Sequence, residues 1–221
     1  MGMRRILPLA AVAALLAPAA VNAKAPNPPK LTISAAPSPV RFGNATTLSG
    51  KLTGGKNAAG KQVTVQADAW PFEGTYVDVG TALTDANGDW HASNAPAELT
   101  RYRAQATTAP PATSPTVDVN VRLRVRVHVS DRTPDKGERV RFHGTVAPAH
   151  DGAPVRIQRR RADGTWRTVR RTTLRDTGTD VSRYSRRVRV RRSGTYRVRA
   201  LPHDADHLRG TSRKRHLTVG S

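Results

Sequence analysis

Two imidazoles and two carboxylates fall within five residues at His203-Asp204-Ala205-Asp206-His207. That donor set suits zinc or nickel if a loop folds around the ion. Structural zinc sites, however, space their ligands more widely and draw them from at least two elements. The expectation is therefore a polar loop between the last two strands, with no metal and no cofactor; His203, Asp204, Asp206 and His207 are the residues a metal would use if one were held. Asp85, Asn87 and Asp89 carry the first three spacings of a calcium loop, but positions six and twelve are Trp90 and Pro96, where Gly and Glu are needed. A capped hairpin turn is the reading there. No Gly-x-Ser-x-Gly elbow, phosphate-cradling Gly-rich loop or His-Glu-x-x-His helix occurs, so no enzyme is expected. The absence of cysteine excludes disulfides, thiolate ligands, a Cys nucleophile and a lipidated Cys.

The remaining chemistry is cationic. The formal net charge is +21, which favours anionic partners. It is unevenly placed: residues 24–121 hold eight Lys/Arg against seven Asp/Glu, whereas residues 122–221 hold twenty-seven against nine. The second set is mainly Arg, whose planar fork suits phosphate, sulfate and carboxylate. Side chains alternate between faces along a strand. With Leu123, Val125 and Val127 inward, Arg122, Arg124 and Arg126 point outward. The same parity puts Arg139 and Arg141 outside around Val140, and Arg187, Arg189 and Arg191 outside around Val188 and Val190.

The elements that must hold these side chains are strands. Tyr102-Arg103-Ala104-Gln105-Ala106 is echoed 94 positions later by Tyr196-Arg197-Val198-Arg199-Ala200, each alternating at period two. Leu31 to Ala35 is echoed by Leu123 to Val129. Val63-Thr64-Val65-Gln66 is echoed by Val155-Arg156-Ile157-Gln158, and Gly74-Thr75-Tyr76 by Gly164-Thr165-Trp166. Offsets stay between 90 and 98, so length changes fall in turns while strands keep register. Before the first copy, Arg4 and Arg5 precede an uncharged run from Ile6 to Val21 that closes on Val21-Asn22-Ala23, the pattern of a secretory signal over residues 1–23. Pro8 and Pro18 interrupt that run and argue against a membrane span. Residues 24–30 form a Pro-rich spacer, 31–121 a near-neutral first domain and 122–221 a strongly basic second one.

The Thr84-Asp85-Ala86-Asn87-Gly88-Asp89-Trp90 hairpin and the paired Tyr-Arg strands resemble the bacterial immunoglobulin-like (Big-type) repeats of secreted and surface proteins. The resemblance spans about 31–121 and 123–219. It implies an all-β chain of two tandem immunoglobulin-like β-sandwiches, used as stalks, spacers or surface-contacting modules. In the second copy Asp176-Thr177-Gly178-Thr179-Asp180 replaces the Asn-Gly hairpin. An immunoglobulin-like strand order puts the first, second and fifth strands in one sheet. Arg122, Arg124, Arg126, Arg139, Arg141, Arg187, Arg189 and Arg191 would then tile one outer face, the candidate anion-binding set, with Arg156, Arg197 and Arg199 on the opposite sheet. Like charges directly across strands repel, a repulsion that an anionic polymer relieves.

The expectation is a secreted, non-enzymatic protein whose second domain contacts an anionic polymer by electrostatics: an envelope polyanion, an acidic glycan or extracellular DNA. Sequence-specific nucleic-acid reading is not expected, because no groove-entering helix is present and Trp166, Tyr184 and Tyr196 are too few for a stacking platform. Surface attachment after export would be non-covalent. The alternative is a structural stalk with no specific ligand, its Arg excess a solvated face set by composition bias.

Overall fold

The computed structural model describes residues 27–55 and 57–220. The signal expected over residues 1–23, and the first part of the spacer, lie outside the described residues. Within them every regular element is a β-strand, and there is no helix. The first eleven strands are β1 (Lys30–Leu31), β2 (Ser34–Ala36), β3 (Val40–Arg41), β4 (Thr46–Thr53), β5 (Gln62–Ala69), β6 (Val77–Leu83), β7 (Asp89–Asn94), β8 (Thr100–Ala106), β9 (Ala112–Thr113), β10 (Val117–Val119) and β11 (Val121–Arg122). The remainder are β12 (Arg124–Val125), β13 (His128–Val129), β14 (Arg139–Ala147), β15 (Pro154–Arg160), β16 (Trp166–Thr173), β17 (Ser182–Arg189), β18 (Gly194–Ala200), β19 (His207–Leu208), β20 (Gly210–Thr211) and β21 (Arg215–Leu217).

Alternating apolar side chains draw these strands into two cores. In the first unit a sheet of β1, β2, β4 and β7 faces one of β5, β6, β8, β9 and β10. Leu48 and Trp90 from one side meet Val63, Val65 and Tyr102 from the other, all fully buried. In the second unit β12, β13, β14 and β17 face β15, β16, β18, β20 and β21. There Phe142 and Tyr184 meet Ile157, Tyr196 and Val198. Val121 belongs to the first core and Leu123 to the second, so the chain changes cores across Arg122.

The two units repeat details that no period-two pattern specifies. A β-bulge follows Val65 against β6, and another follows Ile157 against β16. The Gln after each bulge accepts a hydrogen bond from the Arg after each core Tyr: Arg103 Nε to Gln66 Oε1 at 2.8 Å, Arg197 Nε to Gln158 Oε1 at 2.9 Å. Each guanidinium also stacks on an aromatic ring, Tyr76 at 3.8 Å and Trp166 at 4.0 Å. Ser114 and Ser212 both accept from a backbone N–H of the neighbouring strand, at 2.9 Å in each unit.

Two expectations about strands need correction. Leu31 to Ala35 and Leu123 to Val129 are each one strand by sequence, yet the ladder breaks in both and resumes in the same register. The breaks lie opposite Gly50 and Gly144. At each glycine an added Cβ would overlap a backbone carbonyl, of Thr32 or Arg126, so the strand passes too close for a regular ladder. The Asp85 turn is a capped hairpin: Asp85 Oδ1 accepts from the N–H groups of Asn87 and Asp89 at 2.8 and 2.9 Å, and Gly88 takes φ 80°.

A third, short sheet joins the units. β11 pairs in parallel with β3 on one side and β19 on the other. The connection between cores is thus a central strand rather than a free linker. Leu99 N–H adds a bond to Asp206 O at 2.8 Å.

Candidate functional site

The antiparallel register of β14 and β17 sets Arg139 against Arg189 and Arg141 against Arg187, with the inward Val140 and Val188 paired between them. These four arginines and Arg191 line one wall of an open groove of about 1160 Å³. Its other wall comes from the facing sheet, where β16 runs beside β17: Arg159, Arg167 and Arg170 stand there, and Arg186 completes the set. Among the described residues no carboxylate lines the groove, and none of the ion pairs involves its arginines. Directly opposed residues on paired strands have Cβ atoms about 4.5–5.5 Å apart, inside the Debye length of about 8 Å at physiological salt, so their mutual repulsion is only partly screened.

Of the eight arginines expected on one face, five share this groove. Arg126 stands beside it, in a smaller hollow with His128, Arg141 and Arg183. Arg122 and Arg124 are elsewhere, which corrects the single tiled face. Arg122 sits in β11, hydrogen-bonded between the two units. Arg124 pairs with Ala147, at the opposite end of β14 from Arg139, about 26 Å away at 3.3 Å per residue. Its guanidinium lies 5.9 Å from the ring of Phe42 in the first unit. Pleating sets the side of the sheet, but register along the strand sets the end, and parity alone carries no register.

Arg159, Arg167, Arg170 and Arg186 were not selected from sequence. The bulge bears on one of them. Ile157 pairs with Arg170 and Gln158 with Thr168, so Val169 is the unpaired extra residue, and along β16 inside–outside parity fails beyond it, at Arg167. Arg170 and Arg159 pair with the buried Ile157 and Tyr196, positions that parity counts as inward. Arg156 and Arg199 do oppose each other on β15 and β18. Burial, then the charges of Arg209 and Arg156, push the Arg199 guanidinium below its usual range.

A second cluster forms where the units meet. His150, Asp204, Asp206 and His207 each offer one ligand atom, all within 4.8 Å of one another. His203 is not among them, and His150, 54 positions before Asp204, takes its place. Both histidine rings are nearly sealed from solvent, with side chains 6% and 5% exposed. His150 Nδ1 lies 3.0 Å from Pro148 O, and His207 Nε2 lies 2.8 Å from Ala97 O, a carbonyl of the first unit. The other nitrogens face carboxylates: His150 Nε2 is 3.2 Å from Asp204 Oδ2, and His207 Nδ1 is 3.0 Å from Asp206 Oδ1. The last two atoms are buried and not aligned for a hydrogen bond. Burial, then a hydrogen bond with Asp206, holds the Asp204 carboxyl above its usual range. Burial lifts Asp206 as well, but its contacts with Asp204 and His207 outweigh that and leave it low. No local spacing could have brought in His150, because the sheet joining the units positions the 203–207 loop against it.

No protein-family model matches the sequence, and no curated protein matches it. Among solved structures, the chain is similar to a tetra-tandem repeat in the extending region of a large adhesion protein, at 17% identity and a TM-score of 0.39, covering 88% of this chain and 50% of that one. It is also similar to red sea bream transglutaminase, at 12% identity and a TM-score of 0.41, covering 86% of this chain and 31% of that one. The chain thus spans half or less of the length of both.

Proposed function

We propose that residues 31–121 and 122–221 are tandem immunoglobulin-like sandwiches of an exported, non-enzymatic protein, and that the second binds an anionic polymer along its arginine groove. The observation that carries this reading is the run of directly opposed, unpaired arginines along β14 and β17, continued on the facing sheet by Arg159, Arg167 and Arg170. Cross-strand like charges destabilise a ladder, and a polyanion laid along it removes that cost. The groove is open and its donors are forks, so it suits a linear polymer of phosphate, sulfate or carboxylate groups more than a small molecule. Envelope polyanions, acidic glycans and extracellular DNA share that chemistry.

The test is a salt titration of binding to wall polymer and to duplex DNA by the full chain and two variants of equal charge. One carries Arg141→Gln, Arg187→Gln and Arg189→Gln; the other carries Arg122→Gln, Arg213→Gln and Lys214→Gln. The groove variant should bind at least tenfold more weakly. On DNA its log–log salt slope should flatten by about 0.9 for each phosphate it no longer neutralises. Equal weakening in both variants would reduce the groove to undirected net charge. The stalk alternative draws on the junction, where a three-stranded sheet joins the units; it requires that neither variant differ from the parent in binding.

A further inference from the structure

We infer that His150, Asp204, Asp206 and His207 form a binding site for a zinc-class divalent cation, seated against the junction of the two units. The backbone around the rings fixes where their protons lie. Pro148 O and Ala97 O can only accept, so His150 Nδ1 and His207 Nε2 must donate to them. In the neutral rings the lone pairs are then on His150 Nε2 and His207 Nδ1. Those are the nitrogens aimed at Asp204 Oδ2 and Asp206 Oδ1. With neutral rings four electron-rich atoms converge, no Lys or Arg among the described residues is paired with them, and two of them, Asp206 Oδ1 and His207 Nδ1, are buried without a hydrogen-bond partner. Such a group is costly unless a cation occupies its centre.

The donor set matches that ion. Two imidazole nitrogens and two carboxylate oxygens suit a borderline divalent metal over calcium or magnesium, which take oxygen alone. Bonds of about 2.0–2.1 Å in a tetrahedron imply ligand–ligand edges of roughly 3.3 Å. The two His–Asp edges, 3.2 and 3.0 Å, already stand near that value, and no ligand pair exceeds 4.8 Å. Two carboxylates balance the charge of one divalent ion. Each histidine is oriented by a backbone carbonyl on its other nitrogen, the usual outer support of a metal-bound imidazole. Asp204 is 43% exposed and gives the ion a way in. Because the carbonyl that orients His207 belongs to the first unit while all four ligands belong to the second, ion binding stiffens the junction.

Full-length, tag-free protein, stripped with a chelator, would be titrated with Co²⁺ and then Zn²⁺. One equivalent of Co²⁺ should produce the intense visible bands of a tetrahedral site, and Zn²⁺ should bleach them. Zn²⁺ at a hundredfold excess over its Kd should raise the melting temperature by about 5–10 °C. His150→Ala should weaken binding at least a hundredfold and abolish the thermal shift, while His203→Ala and His128→Ala leave both intact. Because His207→Ala could loosen the junction itself, Asp204→Asn serves as the second ligand variant, with at least tenfold weaker binding and an unchanged metal-free melting temperature. Absence of Co²⁺ bands in the parent at millimolar metal would overturn the assignment. So would binding that survives His150→Ala and disappears in His203→Ala, the signature of a site made by the loop alone.

Discussion

The two units share their interior apparatus and differ almost entirely outside it. Thr47 faces Ser93 across β4 and β7, where the second unit sets Arg141 against Arg187 at positions 94 residues on. Beneath them the same cradle recurs: Trp90 packs over Gly50 in one unit, Tyr184 over Gly144 in the other. Even here the polar handle differs. Tyr184 OH donates to Arg126 O at 2.8 Å, whereas the Trp90 indole N–H is buried without a partner. Close backbone approach and the Gln–Arg–aromatic stack thus specify the fold, while the outward strand positions are free to be neutral or cationic.

The likeness between the units breaks hardest at the glycines. Gly50→Ala and Gly144→Ala each press a methyl into a backbone carbonyl that cannot move without parting the ladder, so each should cost about 3 kcal/mol. Urea unfolding should show similar destabilisation for both; a large cost in one unit only would mean the cradles are not equivalent. The next effect is on the stacks. Gln66→Ala and Gln158→Ala leave Arg103 and Arg197 without their acceptor, at about 1–3 kcal/mol. Gln158 should sit at the upper end because it is more buried, only 6% exposed, and because burial already depresses the Arg197 guanidinium. Calorimetry of the two variants would rank them. The smallest effect sharpens the contrast in charge: Arg141→Thr with Arg187→Ser transplants the neutral pair of the first unit and should stabilise the second by about 0.2–1 kcal/mol at low salt. Added salt should erase that gain; a gain indifferent to salt would point to packing rather than repulsion.

Much of the fold was legible because burial alternates along a strand. Thr100–Ala106 is buried at every second residue, from Thr100 through Tyr102 and Ala104 to Ala106, and the copy at Gly194–Ala200 keeps that alternation from Tyr196 onward. Turns were legible where a residue type has a local reason to be there, as Asp85 and Gly88 do. The candidate groove was only half legible: Arg139, Arg141, Arg187, Arg189 and Arg191 follow from parity, but Arg167 stands beyond a bulge that resets it and Arg170 pairs with the inward Ile157. Arg124 was misplaced because alternation says nothing about which end of the neighbouring strand it meets.

What the amino-acid order determined by itself is what short-range stereochemistry controls: the strands, their inward faces, the repeat at 90–98 residues and the gathering of cations after residue 121. Tertiary structure alone decided what meets across long stretches of chain. It made the connection at Arg122 a strand between β3 and β19, closed the arginine groove from two sheets, and exchanged His203 for His150 beside Asp204, Asp206 and His207. The physical reason is that side-chain direction is a property of a residue and its neighbours, whereas proximity between distant strands depends on register and packing, which no local pattern encodes.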